Sequence, residues 1–273
     1  MNRLIITLVL LASATFYGQE FHGVAVYESK QNLKDMKIES KDMNDQILKE
    51  VMEDLKKQFE KTFILNFNKY ESTYQEEVKL DIPSKGLSMR TSGSSDDEVT
   101  YKNVKSKLKL EEKEFFGKEF LIVDSLKVYN WELQNETKKI GNYTCYKAVS
   151  VKKVTKEDVD EYEKQKEKQE TSKTSFFTVI EPREQITTVW YTPEIPISQG
   201  PGELWGLPGL ILEASFNDTI VLCSKIILNP KNKTEIKIPK RGKRVTKKEF
   251  DSLIKKQMEK MTNKDGVIEI HMN

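Results

Sequence analysis

The sequence predicts an α+β domain, mainly antiparallel β: a curved sheet or open half-barrel with two amphipathic helices and one charged helical insertion. Three observations carry this expectation. Most strand-length stretches mix apolar with polar or charged residues, the pattern of half-solvated antiparallel strands rather than the continuous apolar runs of a parallel sheet. Two stretches repeat their apolar residues at helical spacing, and a third is almost wholly charged. No βαβ rhythm and no solenoid-type repeat runs along the chain.

In chain order, residues 1–19 read as a signal peptide: Arg3 supplies a positive charge, and Leu4 to Ala14 is an apolar run too short to span a membrane. Cleavage after Ala14 and cleavage at Gly18-Gln19 both fit. No cysteine sits just past the apolar run to take a lipid anchor, and no later run reaches the ~20 apolar residues of a membrane span. Residues 20–273 are expected to form a single exported β-rich domain, with the charged insertion at about 155–171.

Phe21 to Ser29 alternates as a strand, with Phe21, Gly23, Ala25 and Tyr27 on one face. Met43, Ile47, Val51, Leu55 and Phe59 then recur every four residues and predict an amphipathic helix from about Lys41 to Lys61. Thr62 to Glu76 returns to period two; its parity changes near Asn68, which predicts one long strand with a bulge there. Asp81 to Glu98 reads as a polar loop, and shorter strands are expected at Val99–Val104, Glu119–Val123, Val128–Leu133 and Gly141–Lys152.

Thr155 to Thr171, with Val159 and Tyr162 as its only apolar residues, predicts a solvated helix laced with i,i+4 charge pairs. Phe176–Ile180 and Ile186–Tyr191 suggest a hairpin. Leu210–Phe216 and Thr219–Leu228 flank Asn217-Asp218 and predict another, whose register places Leu210, Leu212, Ala214 and Phe216 with Val221 and Cys223. Thr246-Lys247-Lys248-Glu249 is a capping box opening a second amphipathic helix, striped by Phe250, Leu253, Ile254, Gln257, Met258 and Met261.

Apolar residues make up 37% of the chain and charged residues 32%, enough for a core beneath a charged surface. Lys and Arg number 45 against 43 Asp and Glu, so there is no general pull toward nucleic acid. The chemistry-bearing residues are few. The two histidines, His22 and His271, stand in no catalytic or metal-binding signature, and no phosphate-binding glycine loop occurs. Cys145 and Cys223 form no C-x-x-C pair; in an exported chain they are either bridged or two buried thiols. No cofactor or metal is expected, since Asp96-Asp97-Glu98 lacks the spacing of a calcium loop. The basic cluster Lys240-Arg241-Gly242-Lys243-Arg244 reads as a solvated turn, with an anionic membrane surface as its alternative. Glu194, Glu203 and Glu213 are the carboxylates that a hydrolase would have to use as acid and base.

The densest concentration of Trp, Pro and Gly lies between Trp190 and Gly209. Trp190, Tyr191, Pro193, Glu194 and Pro196 lead into Trp205, Gly206, Leu207, Pro208 and Gly209, and Leu207-Pro208-Gly209-Leu210 predicts a type II turn feeding a strand. The run Trp190-Tyr191-Thr192-Pro193-Glu194-Ile195-Pro196, followed by Gly200-Pro201 and by Gly206-Leu207-Pro208-Gly209-Leu210-Ile211, resembles the GLPGLI family of exported Bacteroidetes proteins. Gly141-Asn142-Tyr143-Thr144-Cys145-Tyr146-Lys147-Ala148 is similar to that family's glycine-x-x-x-cysteine-x-lysine-alanine stretch, whereas the charged 155–171 segment replaces the family's usual short link. The resemblance implies no established activity. It implies a periplasmic or outer-membrane-associated protein, often encoded near TonB-dependent receptors, and hence a receptor or other envelope protein as partner. The leading expectation is an exported binding or accessory module. Its rivals are a half-barrel carrier of an apolar ligand such as lipid, and a carboxylate-dependent hydrolase.

Overall fold

The computed structural model describes residues 21–31, 60–77, 98–171, 181–232 and 235–261. The signal peptide, the 41–61 helix, the 81–98 loop, the 176–180 strand, His271 and the C-terminal tail lie wholly or almost wholly outside these residues.

Twelve strands are described: β1 His22–Gln31, β2 Lys61–Asn68, β3 Glu71–Glu76, β4 Val99–Asn103, β5 Leu108–Phe115, β6 Lys118–Ser125, β7 Glu132–Ile140, β8 Tyr143–Lys152, β9 Gln185–Thr192, β10 Leu210–Phe216, β11 Thr219–Leu228 and β12 Lys243–Val245. They form one sheet in the order β12-β6-β5-β4-β3-β2-β1-β11-β10-β9-β8-β7. Every neighbouring pair is antiparallel except β12 with β6, which run parallel. Among the described residues two helices accompany the sheet, α1 Lys156–Thr171 and α2 Lys247–Met261. The sheet is mainly antiparallel and unclosed, as expected from the residue pattern.

Local chemistry sets the joints between these elements. Asn68 accepts hydrogen bonds at Oδ1 from the backbone N–H groups of Tyr70 and Glu71, at 2.8 and 2.7 Å. This Asx turn closes a β2–β3 hairpin, so the parity change expected to be a bulge is a chain reversal. Phe116 and Gly117 both have positive φ, 50° and 68°, and form the two-residue turn between β5 and β6. β5 was not anticipated, because Glu111, Glu112, Lys113 and Glu114 hide its alternation. The strand expected at 128–133 begins instead at Glu132, and the last two residues of the basic cluster expected to be a turn, Lys243 and Arg244, open the edge strand β12. Lys240 and Arg241 donate their backbone N–H groups to Glu112 Oε1, both at 2.8 Å, which ties that segment down beside β5.

The capping box expected at α2 is formed, and α1 opens on one of the same form. Thr155 Oγ1 receives the Asp158 N–H, and Asp158 Oδ2 receives the Thr155 N–H; Thr246 and Glu249 repeat the arrangement. α1 lies in the β8–β9 connection with an exposed charged surface. α2 packs Phe250 against Phe120 and Val245, while Leu253 stays exposed.

The core divides around β10. Ala25, Tyr27, Leu65 and Phe67 pack with Leu210, Leu212, Val221 and Cys223, so Cys223 faces inward as expected. The register shift between Ile211 and Glu213 separates Ala214 from that group, however. Ala214 joins Ile211, Val189, Tyr191 and Ala148, and Phe216 touches both clusters.

The predicted type II turn is not formed. Gly209 is absent from the positive-φ residues and is required for a different reason: a Cβ there would sit 2.2 Å from the Thr192 carbonyl oxygen. The positive φ belongs to Gly206, at 100°. Substituting Gly209→Ala should therefore cost about 3 kcal/mol, the upper end of overpacking penalties. Gly141→Ala, where φ is 56° but space is open, should cost only about 1 kcal/mol. Urea denaturation of the two variants compares them, and equal losses would contradict the close-approach assignment.

Candidate functional site

The segment between β9 and β10, residues 193–209, lies across one face of the sheet and is tied down along its length. Leu210 N–H donates to Ile195 O and Ile211 N–H to Gln199 O, both at 3.0 Å, so the returning strand pairs with the loop that precedes it. Gln199 Oε1 accepts from Ser72 Oγ at 2.9 Å, and Gly206 N–H donates to Ser198 Oγ at 2.9 Å.

The deepest tie is Lys102 on β4, whose side chain is fully buried. Its Nζ donates to Gly200 O at 2.7 Å and to Leu204 O at 2.8 Å. Lys102 lies directly opposite Ser72 on one side and Lys109 on the other, which makes a polar row across β3, β4 and β5 on a single face. Lys109 in turn pairs with Glu203 from the loop and lies 3.5 Å from Glu111. Burial pulls the Lys102 amine down to about 7, with Glu203 opposing the shift. Burial also pulls on Lys109, but Glu203 and Glu111 outweigh it and hold that amine above its ordinary value.

The geometry also shows how strongly the sheet curves. Gly200 lies against Ile211 on β10, where an added Cβ would come within 2.9 Å of the isoleucine side chain. β4 and β10 are five steps apart in the strand order, about 24 Å in a flat sheet at the usual inter-strand spacing. One lysine side chain spans only a fraction of that, so the sheet must curl around the loop.

Two tryptophans lock the other flank. Trp205 donates its indole N–H to Lys127 O at 2.7 Å, and Trp131 donates to Trp205 O at 2.9 Å. Tyr129 stacks on Trp131 with centroids 5.0 Å apart. Burial, helped by Glu203, raises the Tyr129 hydroxyl to about 12.

The residues singled out in the sequence separate into inward and outward sets. Ile195, Ile197, Gln199, Leu204, Leu207 and Gly209 are buried, whereas Pro193, Glu194, Pro196, Gly206 and Pro208 are exposed and Trp205 is half-buried. Tyr191 is buried in the cluster with Leu207. Trp190 is half-buried beneath Lys138, whose Nζ lies 4.3 Å from the ring centroid. The three carboxylates have separate partners: Glu194 accepts the Thr144 N–H at 2.7 Å, Glu203 pairs with Lys109, and both Glu213 oxygens lie 2.7 Å from Lys138 Nζ. No group of three His, Cys, Asp or Glu residues able to hold a metal occurs among the described residues. Cys145 and Cys223 are free thiols buried in one cluster, and burial raises them to about 11 and about 12.

Lys102, Lys109, Ser72, Gln199 and Trp131 were not singled out in the sequence. Lys102 is one of 45 basic residues and carries no local mark. Trp131 is one of only three tryptophans, and that rarity was the available signal.

Residues 131–213, from Trp131 to the strand after the loop, match the model of a family described as a protein of unknown function (Porph_ging). No curated protein matches the chain. Two solved structures of PNGF-II, in C2 and P21 space groups, are similar at 15% and 14% identity, each with a TM-score of 0.47. They cover 87% and 88% of this chain, which spans about a third of their length, 33% and 34%.

Above pH 10.5, the ordinary value, Lys102 is neutral in both folded and unfolded chains; between there and about 7 only the unfolded chain takes up the proton. Stability therefore rises with pH across that window wherever Lys102 is present. The stability difference between wild type and Lys102→Met, from urea denaturation at pH 7 and 9.5, should grow in favour of wild type. A difference independent of pH would contradict the buried amine. The raised thiols should also resist Ellman's reagent at pH 8 in the native protein. Two thiols should then titrate after unfolding without reductant, whereas none would show a bridge.

Proposed function

We propose that this chain is an exported, envelope-associated binding or accessory module of the GLPGLI type, serving an outer-membrane receptor of the TonB-dependent kind. One observation supports a binding role above others. The 193–209 loop holds Ile195, Ile197, Leu204 and Leu207 inward while presenting Pro193, Pro196 and Pro208 outward, with Trp205 half-exposed beside them. Its conformation is already fixed by Lys102 and the tryptophan pair, so a partner meeting those residues would order little on binding. An apolar ligand carried on the same face would have to displace Leu204 and Leu207. Each candidate carboxylate is engaged in a structural contact, which weighs against the hydrolase reading.

The test is a pull-down from solubilised outer membrane with the mature chain as bait. Wild type should recover a receptor, and the double variant Pro193→Ala/Pro196→Ala should recover severalfold less. Because both prolines are exposed, the variant should keep its stability to within about 0.5 kcal/mol. Equal recovery by both baits, or lipid co-purifying in place of protein, would overturn the reading.

A further inference from the structure

Beside the tryptophan pair, β8, β9 and the segment 127–130 enclose a cleft of about 380 Å³, within the size range of small-molecule sites. Its floor is made by two cross-strand pairs, Ser150 with Thr187 and Lys152 with Gln185. On the same face, two residues earlier on β8 and two later on β9, the pair is Ala148 with Val189, both fully buried in the apolar cluster. The face therefore changes abruptly from hydrocarbon to hydroxyl, amide and ammonium groups where it is no longer covered by Leu204 and Leu207. Neither the Ser150 nor the Thr187 hydroxyl makes a side-chain hydrogen bond to another described residue, although Ser150 is 9% exposed.

The opposite wall is pre-organised. Lys127 O holds the Trp205 indole, Tyr129 stacks on Trp131, and Lys127 Nζ sits 4.9 Å from the Tyr129 ring centroid. Lys127, Lys152 and Lys153 bring three positive charges to the lining. Among the described residues a single carboxylate pairs with them directly, Asp158, which lies 3.7 Å from Lys152 and is also engaged in capping α1. A local excess of this kind stands out in a chain whose formal net charge is only +2.

We propose that this cleft binds a phosphate monoester carried on a compact polar scaffold. A phosphate monoester carries about −1.5 to −2 charges near neutral pH, enough to answer more than one ammonium, which a single carboxylate could not do. Lysines act on phosphate as point charges from several directions, and the Ser150 and Thr187 hydroxyls can donate to its oxygens. The scaffold would lie toward Asn130 and Gln185, which offer both donors and acceptors. The source is either a free phosphorylated small molecule, such as a sugar phosphate, or the phosphate monoester headgroup of a lipid. The cleft needs no receptor to act, so it stands or falls separately from the partner reading above.

The experiment is titration calorimetry of the mature chain at about 0.15 M salt, with glucose 6-phosphate against glucose and acetate. It is paired with co-sedimentation on phosphatidic acid vesicles against phosphatidylcholine vesicles. Saturable binding of glucose 6-phosphate should weaken about tenfold or more in Lys152→Gln/Lys153→Gln and severalfold in Ser150→Ala, and stay unchanged in Lys118→Gln. Lys152 and Lys153 are exposed, so the double variant should melt with wild type. Binding confined to phosphatidic acid vesicles and lost in the same double variant would also support the site and identify the headgroup as its source. The proposal is overturned if neither probe binds saturably, if glucose or acetate binds as well as the phosphate, or if the double variant binds undiminished.

Discussion

A buried lysine amine clasping two carbonyls of a distant loop is the interaction on which the rest of this structure depends. Lys102 reaches Gly200 O and Leu204 O across 98 and 102 positions of sequence. Taking an amine out of water is costly, and a buried carbonyl left without a donor is costly as well. Each group is tolerable inside because it satisfies the other. The clasp requires β4 and β10 to approach, so the curl of the sheet and the seat of the loop are one arrangement. Lys109 and Glu203 reinforce it from β5.

Once seated, the loop organises what surrounds it. Its apolar residues fill positions in both core clusters: Ile195 and Ile197 pack with Leu210 and Leu212, and Leu204 and Leu207 pack with Ile211 and Ala148. Close approach then dictates which positions must be glycine. Gly200 meets the Ile211 side chain and Gly209 meets the Thr192 carbonyl, so neither is there for turn conformation. The register shift beside Ile211 serves the same arrangement: the Tyr27 hydroxyl donates to Ile211 O at 2.7 Å.

The tryptophan pair joins this loop to the lysine-lined cleft. Trp131 and Trp205 bind each other's segments through indole N–H groups, and the segment they fix carries Lys127 and Tyr129. An aromatic surface and a cationic cleft therefore share one rigid wall.

The amino-acid sequence by itself determined the class of this fold and most of its elements, because those depend on neighbours in the chain. Alternation located β1, β8, β10 and β11, the charged run located α1, and the Thr246–Glu249 box located the start of α2. Local chemistry was misread at Asn68, where a bulge and an Asx turn change the parity alike. It was also misread at Gly209, where turn composition suited a type II turn that the Thr192 carbonyl leaves no need for. Only tertiary structure decided the site. Lys102, Ser72, Gln199 and the Ser150–Thr187 pair look like ordinary polar residues in sequence. The role of Ser150 and Thr187 arises from the pairing of β8 with β9, and those of Lys102, Ser72 and Gln199 from contacts 98 to 127 positions apart that no local pattern encodes.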